Sequence, residues 1–393
     1  MPITGALVDY TPYRRAVGIV SGVLIVTIQA IQIYTVSSTW FPMAILQALA
    51  GFVLQVQLLA TFAYFPSLAT QVGQKTMANF TAKFQMIGFA AQAAFLIVVV
   101  VLSTAFEWDD VFTAHISQAI NVVWVGGAFY VGWKLLPSAA ARHTLPEHRS
   151  LLTAGFVQIW QTTKKINRHY GRGLRWFLLA VVFADAGANA FTVVSVPFLS
   201  VLIQMDGAEV GYLFLIVLVL SIPGAKVGEM VTDRTNPNLS LKLCMTCFSV
   251  WTVLGAIVLN GPDRKYATYG FCVVWGILLG WFYPTETLFF SMSLPKGSEA
   301  ELSGFFVYCT QIMAWLPPLI FTLMNESGIS MRWGLMSLVI FFFLAIAILH
   351  LIPSWDVVLE EAAKDTNFVE VDNEPGQDDD DVTAATAPTM SNT

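Results

Sequence analysis

Two carboxylates that fall inside long apolar stretches are the residues of this sequence best suited to chemistry. Asp185 lies within the stretch 176–204, and Asn189 follows it four residues later on the same helical face. Glu286 lies within the stretch 267–294. An ionisable side chain in lipid costs about 2.5–3.5 kcal/mol, so it usually faces a cavity or a partner. These positions predict a site for a substrate amine or a proton, or a pairing that only joins helices.

The two carboxylates are expected at different depths. Glu286 is expected nearer the cytoplasmic end of its stretch, where it can line a cavity or lie in the solvated interface, whereas Asp185 lies deeper. Pro197, in the same stretch as Asp185, is expected to kink the helix and free a backbone carbonyl.

A second polar stripe lies in the stretch 111–136, where His115 and Gln118 share a helical face. These side chains can line a transport pathway, or they can hydrogen-bond to neighbouring helices. Gln85 and Gln92 share a face in another stretch and leave the same two alternatives open.

Motifs for enzymatic or cofactor chemistry do not appear in the sequence. It has no Ser-His-Asp order, zinc-protease motif or phosphate-binding loop. Cys244 and Cys247 have the spacing of a metal or redox pair, but they lie inside an apolar stretch with no second pair nearby, which favours buried thiols. We therefore expect no enzyme, no metal site, no cofactor and no nucleic-acid partner.

The composition indicates a membrane protein. Of the 393 residues, 56% are hydrophobic and 12% are charged, whereas an average soluble domain has about 25% charged residues. Ten stretches are long and apolar enough to cross a lipid bilayer. They lie at 16–36, 40–66, 84–106, 111–136, 176–204, 209–231, 239–260, 267–294, 302–324 and 332–353. The prediction is an all-α, multi-pass membrane protein.

The distribution of Lys and Arg predicts the orientation. Of the 20 Lys and Arg residues, all but Arg264, Lys265 and Arg332 fall on one side of the ten-span arrangement. Because cytoplasmic loops are enriched in these residues, that side is predicted to be the cytoplasm. Both termini then lie in the cytoplasm.

The spans fall into two groups. Residues 1–136 hold four spans, 137–175 form a basic linker predicted to be cytoplasmic, and 176–353 hold six spans. Two helical groups joined in this way are typical of transporters whose halves rock about a central site. The remaining residues, 354–393, have Lys364 as their only basic side chain and are predicted to form a disordered acidic tail in the cytoplasm.

A loop motif of glycine, aspartate and arginine occurs twice. Its members are Gly5, Asp9, Arg14 and Arg15 in the first copy, and Gly228, Asp233 and Arg234 in the second. The glycine is expected to let two helix ends approach, the Asp to cap the next helix, and the Arg to pair with a carboxylate. A tight turn with positive-inside charges is the alternative for either copy.

This repeated motif resembles the signature loop of the major facilitator superfamily, which joins the second and third spans of each six-span half. The second copy has that place, but the first copy precedes every span, so the resemblance implies that two initial spans are absent. Side chains on the faces left uncovered are then expected to meet lipid, at least some of them without hydrogen-bond partners. They are Gln47, Gln55, Gln57, Gln85 and Gln92.

Further segments resemble one family within this superfamily, the vacuole effluxers related to autophagy. They are Tyr-Pro-Thr-Glu at 283–286, Leu-Pro-Lys-Gly-Ser-Glu at 294–299, Gly-Phe-Phe-Val-Tyr at 304–308 and Trp-Leu-Pro-Pro at 315–318. The similarity covers roughly 176–350.

The resemblance implies a secondary active transporter in the vacuolar or lysosomal membrane. Such a protein would export small solutes such as neutral amino acids to the cytosol by alternating access, and a proton could be the coupling ion. Its partners would be the solute and the lipid bilayer. A truncated, non-transporting scaffold or receptor is the alternative, followed by a membrane-embedded enzyme.

Overall fold

A computed structural model describes residues 13–62, 64, 74–137, 160, 162–168, 170–294 and 299–373. Within these residues the structure is helical and contains no β-strand. The α-helices are α1 (Arg14–Gln32), α2 (Trp40–Phe62), α3 (Gln74–Ala105), α4 (Asp110–Leu135), α5 (Arg172–Pro197), α6 (Gly207–Arg234), α7 (Pro237–Val258), α8 (Lys265–Ser293), α9 (Glu299–Ile312), α10 (Leu316–Glu326), α11 (Met331–Leu349) and α12 (Trp355–Asn373).

The ten predicted spans all fall on helices, which confirms the all-α prediction. Nine of these ten spans, judged on the described residues, are both long and apolar enough to cross a membrane. The exception is α4, which has sufficient length at 26 residues but carries His115, Gln118 and other polar side chains that lower its mean hydropathy.

Proline shapes two of the spans. The α-helix of α5 ends at Pro197, and one π-helical turn, Phe198–Leu202, continues the span. The predicted span 302–324 is two helices instead of one, because α9 ends at Ile312 and α10 begins at Leu316. Pro317 and Pro318 have no N–H to donate to the preceding turn, so the chain breaks before them.

The prediction of a disordered tail is wrong for the first half of residues 354–393, because α12 occupies residues 355–373. The start of this helix packs onto the second helix group. The Trp355 ring lies edge-on against Phe289 of α8, at 5.1 Å between centroids, and Val358 is buried against Gly173 of α5. Burial of these apolar side chains stabilises a segment whose charge alone favours disorder. Residues 374–393 lie outside the described part of the chain.

The helices pack in two groups. In the first, α1 packs against α2 and α4; in the second, α5 packs against α9 and α11, and α7 against α8 and α11. The closest pair is α6 with α8, where glycines let the backbones meet: Gly276 and Gly280 of α8 lie on Val217 and Ser221 of α6. Helix α3 stands at the boundary, since it packs against α4 and also against α6 and α8.

Of the five glutamines, at least some of which were expected to lack partners, three form side-chain hydrogen bonds, although among the described residues the Gln55 side-chain carbonyl oxygen is buried without one. Gln57 is 4% exposed and hydrogen-bonds through its side chain to Ser21 Oγ at 2.6 Å. Gln47 accepts a hydrogen bond of 2.9 Å from Gln32, and Gln55 donates one to Gln311. Neighbouring helices supply these partners, which a sequence alone does not place.

Candidate functional site

A cavity of about 660 Å³ lies between the two helix groups. Its polar lining comes from both of them. The polar side chains are Gln55 of α2, Gln85 and Gln92 of α3, Asn189, Thr192 and Ser195 of α5, Ser221 of α6, Tyr283 of α8 and Gln311 of α9. Aromatic rings, including those of Phe89, Phe191 and Trp275, form much of the remaining wall.

None of the described residues that line this cavity is Asp, Glu, His, Lys or Arg. The walls therefore offer neutral amides and hydroxyls beside apolar rings. Such groups can donate and accept hydrogen bonds but cannot neutralise a net charge. The volume is in the range of sites for small organic molecules, about 300–1,000 Å³.

One helical turn from the cavity, two carboxyl groups meet. The side chains of Asp185 (α5) and Glu286 (α8) are within hydrogen-bonding contact, and they are 2% and 3% exposed. Two buried carboxyl groups side by side repel each other when both are ionised, so a proton on one of them favours this arrangement. Among the described residues neither group has an ion pair with Lys or Arg, and neither lines the cavity.

The spacing on the two helices arranges the polar side chains in two layers. Asn189 follows Asp185 by four residues, and Tyr283 precedes Glu286 by three, so each pair shares a helical face. The Tyr283 hydroxyl donates a hydrogen bond of 3.3 Å to Asn189 Oδ1. One layer, Tyr283 with Asn189, lines the cavity, and the other, Asp185 with Glu286, lies behind it.

Small residues allow α5 to hold its polar face in the centre of the second helix group. Ala184, Ala186, Ala188 and Ala190 are buried, and a side chain in place of Gly187 would meet the ring of Phe342 on α11. Helix α5 therefore lies close to α11 while Asp185 faces α8.

The structure brings Asp185, Asn189 and Glu286 together, but the expectation that Glu286 lies nearer to water than Asp185 is wrong. An aromatic layer lies between it and the end of α8. Phe289 stacks on Phe177 of α5 with ring centroids 4.1 Å apart, and Trp355 of α12 packs against Phe289. Glu286, one turn before Phe289, is as deeply buried as Asp185.

His115 and Gln118 do not reach this cavity. His115 Nε2 lies 2.9 Å from the Thr35 carbonyl oxygen, and Gln118 donates a hydrogen bond of 3.2 Å to the Gln29 carbonyl oxygen. Both polar groups contact backbone carbonyl oxygens where α4 packs against α1 and the loop that follows α1. This is the helix-joining alternative that the sequence left open.

Several residues of the site were missed from the sequence, among them Tyr283, Gln311 and Cys309. Tyr283 could have been found from its place one turn before Glu286. Gln311, which bonds to Gln55, is an amide within an apolar stretch and carries only that weak signal. Cys309 lies near Asp185 and is buried, and nothing in its spacing indicates that position.

Comparison with known proteins identifies the family. Residues 1–355 match the family model described as Vacuole effluxer Atg22 like. The chain belongs to this family. Two curated relatives, both named Autophagy-related protein 22-2, come from Neosartorya fischeri and Aspergillus fumigatus. Each is 24% identical over 230 residues, a match that covers 55% of this chain and 36% of the relative. The matched segment thus spans about a third of those relatives' length.

Solved structures show the same fold as this Atg22-like chain. A variant of the fucose:proton symporter FucP of E. coli has a TM-score of 0.55 and 14% identity, over 90% of this chain and 87% of FucP. A bacterial homologue of the iron transporter ferroportin, in an outward-facing state, has a TM-score of 0.59 and 13% identity, over 89% and 85%. The chain therefore has a major facilitator-like membrane-transporter fold.

The first copy of the loop motif in this Atg22-like chain is partly described. Gly5 and Asp9 lie outside the described residues. Arg14 is buried with its guanidinium 5.5 Å from the centre of the Tyr64 ring, and Arg15 Nε donates a hydrogen bond of 3.2 Å to the Trp133 carbonyl oxygen. These arginines attach the start of α1 to neighbouring parts of the first helix group.

The second copy differs from the expectation at its Asp. Gly228 lets α6 approach α8 as expected, since an added Cβ would lie 2.6 Å from the Trp281 ring. Asp233 does not cap the next helix, and that prediction is wrong: Asn236, directly before Pro237, accepts the capping hydrogen bond from the Leu239 N–H at 2.8 Å. Asp233 and Arg234 are exposed.

Proposed function

We propose that this Atg22-like chain is a secondary active transporter that exports small neutral solutes, neutral amino acids among them, to the cytosol. The membrane would be that of a vacuole or lysosome, and a proton would move with the solute. The single observation that supports this best is the cavity between the helix groups, with the Asp185–Glu286 pair one turn behind it.

The cavity lining supports the solute class. A zwitterion has no net charge, and its ammonium and carboxylate groups can bond to neutral amide and hydroxyl groups such as those of Gln85, Asn189 and Tyr283. The rings of Phe89 and Trp275 can pack against an apolar side chain. An anion or cation would enter without a counter-charge, which is unfavourable in a buried site.

The carboxyl pair supports proton coupling. Because Asp185 and Glu286 are in contact and buried, the pair can bind one proton or release it. Each step changes the charge of a site inside the membrane, where a charge is energetically costly. The similarity of fold to FucP is consistent with this role but is not evidence for it, because the two chains are only 14% identical.

The topology that we propose keeps both termini, the linker 137–175 and α12 in the cytoplasm, with helix groups over 1–136 and 176–353. The outer end then has few free positive charges. Of its three basic residues, Lys265 forms an ion pair of 2.8 Å with Glu209, which joins the starts of α6 and α8.

Reconstitution in liposomes tests the proposal. The purified chain should accumulate radiolabelled leucine when an imposed pH gradient drives protons in the same direction, and a protonophore should abolish the accumulation. Unlabelled neutral amino acids should compete with leucine, whereas glutamate and lysine should compete weakly because the described lining of the cavity has no charged group. Leucine uptake that equals that of empty liposomes under every gradient would refute the proposed function.

A further inference from the structure

The solute cavity and the carboxyl pair are separate in this structure, and one hydrogen bond lies between them. Asn189 and Tyr283 line the cavity, whereas Asp185 and Glu286 do not. The Tyr283–Asn189 bond, 3.3 Å long, is the layer that a solute in the cavity would meet before the carboxyl groups. A solute can therefore influence the pair only through this layer unless the helices move.

We propose that Tyr283 is the positioning residue that couples solute binding to protonation of the Asp185–Glu286 pair. Its hydroxyl group would change hydrogen-bond partners between Asn189 and the carboxyl groups according to whether solute is present. This inference rests on the proposed function and adds to it the residue through which the two sites communicate.

The hydroxyl group has the hydrogen-bonding capacity for this role. It has one hydrogen to donate and two lone pairs that accept. In this structure the hydroxyl donates its hydrogen to Asn189 Oδ1, and this hydrogen bond is long and therefore weak. The hydroxyl can therefore rotate and donate to an ionised carboxylate instead. A solute acceptor beside Asn189 would hold the hydrogen toward the cavity. The ionised pair would then lack this donor, whereas the protonated pair would not need it.

The direction of coupling follows from this geometry. With solute bound, the hydroxyl no longer offers its hydrogen to an ionised pair, whereas the protonated pair is joined by its own hydrogen and does not need that donor. Without solute, the hydroxyl can donate to the ionised pair. Solute and proton therefore favour each other's binding, which is the requirement for their transport in the same direction.

The surroundings place few other groups in a position to compete. Cys309 of α9 lies near Asp185, and both carboxyl groups lie near Tyr283. Within the described residues, the other helices packed against α5 and α8 direct no ionisable side chain at the pair. The Tyr283 ring also contacts α3, since its centroid lies 6.4 Å from that of Phe89. The hydroxyl is thus held at the boundary of the two helix groups.

Tyr283→Phe tests the inference because it removes the hydroxyl and keeps the ring. Leucine binding to the purified full chain would be measured by scintillation proximity at pH 5.5 and pH 7.5, and proton uptake on leucine addition by a pH-sensitive dye. The wild-type chain should bind leucine more tightly at the lower pH, by roughly 10-fold. Tyr283→Phe should bind leucine more weakly, because the solute loses one hydrogen-bonding group, with the affinities at the two pH values within about twofold of each other and little proton uptake.

A matched control is Tyr269→Phe, the same change on the same helix, at a position that does not line the cavity. It should keep the wild-type pH dependence. Should Tyr283→Phe fail to fold, Asn189→Leu removes the other partner of the bond and should give the same loss of pH dependence. A folded Tyr283→Phe or Asn189→Leu chain with wild-type pH dependence would overturn this inference alone. A wild-type chain that binds no leucine at either pH would overturn the proposed function and this inference with it.

Discussion

Gln55 of α2 donates a hydrogen bond of 3.1 Å to Gln311 of α9, and this bond joins the first helix group to the second across the central cavity. A similar bond of 2.9 Å, from Gln32 to Gln47, joins α1 to α2 within the first group. If this chain works by alternating access, one group moves against the other, so the first bond would break in each cycle and the second would persist.

A covalent link across the cavity should therefore stop transport. In a chain whose four native cysteines are replaced by alanine, Gln55→Cys with Gln311→Cys would be joined by a short bifunctional methanethiosulfonate. Leucine uptake into liposomes should fall to background after cross-linking and return after reduction. Uptake by the cross-linked chain at the unlinked rate would argue against movement between α2 and α9.

The pair within the first group is the matched control for this experiment. Gln32→Cys with Gln47→Cys places the same chemistry between two helices that move together. Cross-linking there should leave most of the leucine uptake. If both pairs block uptake equally, the reagent disturbs the protein generally and the α2–α9 result has no bearing on alternating access.

Removal of either carboxyl group should abolish proton-driven accumulation. Asp185→Asn and Glu286→Gln keep shape and hydrogen bonding but cannot exchange a proton. Because the two groups are equally buried and contact each other, we expect similar losses at both, roughly 10-fold or more in gradient-driven leucine uptake. Exchange of leucine without a gradient should survive better than accumulation. If Glu286→Gln accumulates leucine normally while Asp185→Asn does not, the shared-proton interpretation of the pair is wrong.

The sequence was sufficient to predict the all-α membrane fold, because long apolar stretches such as 332–353 have few alternatives in a bilayer. It was also sufficient to select Asp185 and Glu286, since a carboxylate in such a stretch needs an explanation. Their contact depends on which faces of α5 and α8 meet. That is decided by glycines and alanines on several helices together, so it could not be taken from either stretch alone.

The errors have a common physical origin. The depth of Glu286 was judged from its distance along the helix, but it is buried where α8 meets α5 and α12, whose Phe177 and Trp355 rings pack on Phe289 of α8. The first part of the tail was judged from its charge, but Trp355 and Val358 have packing sites on α5 and α8. In both cases the prediction used a property of the local sequence, whereas contacts between distant segments decide the structure.

The close contact between α6 and α8 predicts a steric effect. A Cβ on Gly280 would overlap the Ser221 carbonyl group of α6, and that backbone cannot turn aside as a side chain can. Gly280→Ala should therefore destabilise the chain by about 1–3 kcal/mol, measured as thermal unfolding in detergent. Gly270→Ala, on the same helix with nothing within 4 Å of the added atom, is the control and should unfold close to the wild-type temperature. Equal stability of both variants would mean that the helices are further apart than the structure has them.

The last prediction concerns Glu361 of α12, which connects the C-terminal helix to the start of α5. Its Oε2 accepts a hydrogen bond of 2.9 Å from the Gly173 N–H, in the first turn of α5, where a negative charge is favourable. Glu361→Ala leaves that N–H without this acceptor and should lower the free energy of unfolding by about 1 kcal/mol. Glu360→Ala removes the neighbouring carboxylate, which is exposed and pairs only with Lys364 among the described residues, so its effect should be much smaller. Thermal unfolding of the purified variants distinguishes the two. High salt should weaken the Glu361 effect only in part, because Val358 and Trp355 still hold α12 in place. If the two alanine variants unfold at the same temperature, α12 does not dock on α5 as the structure shows.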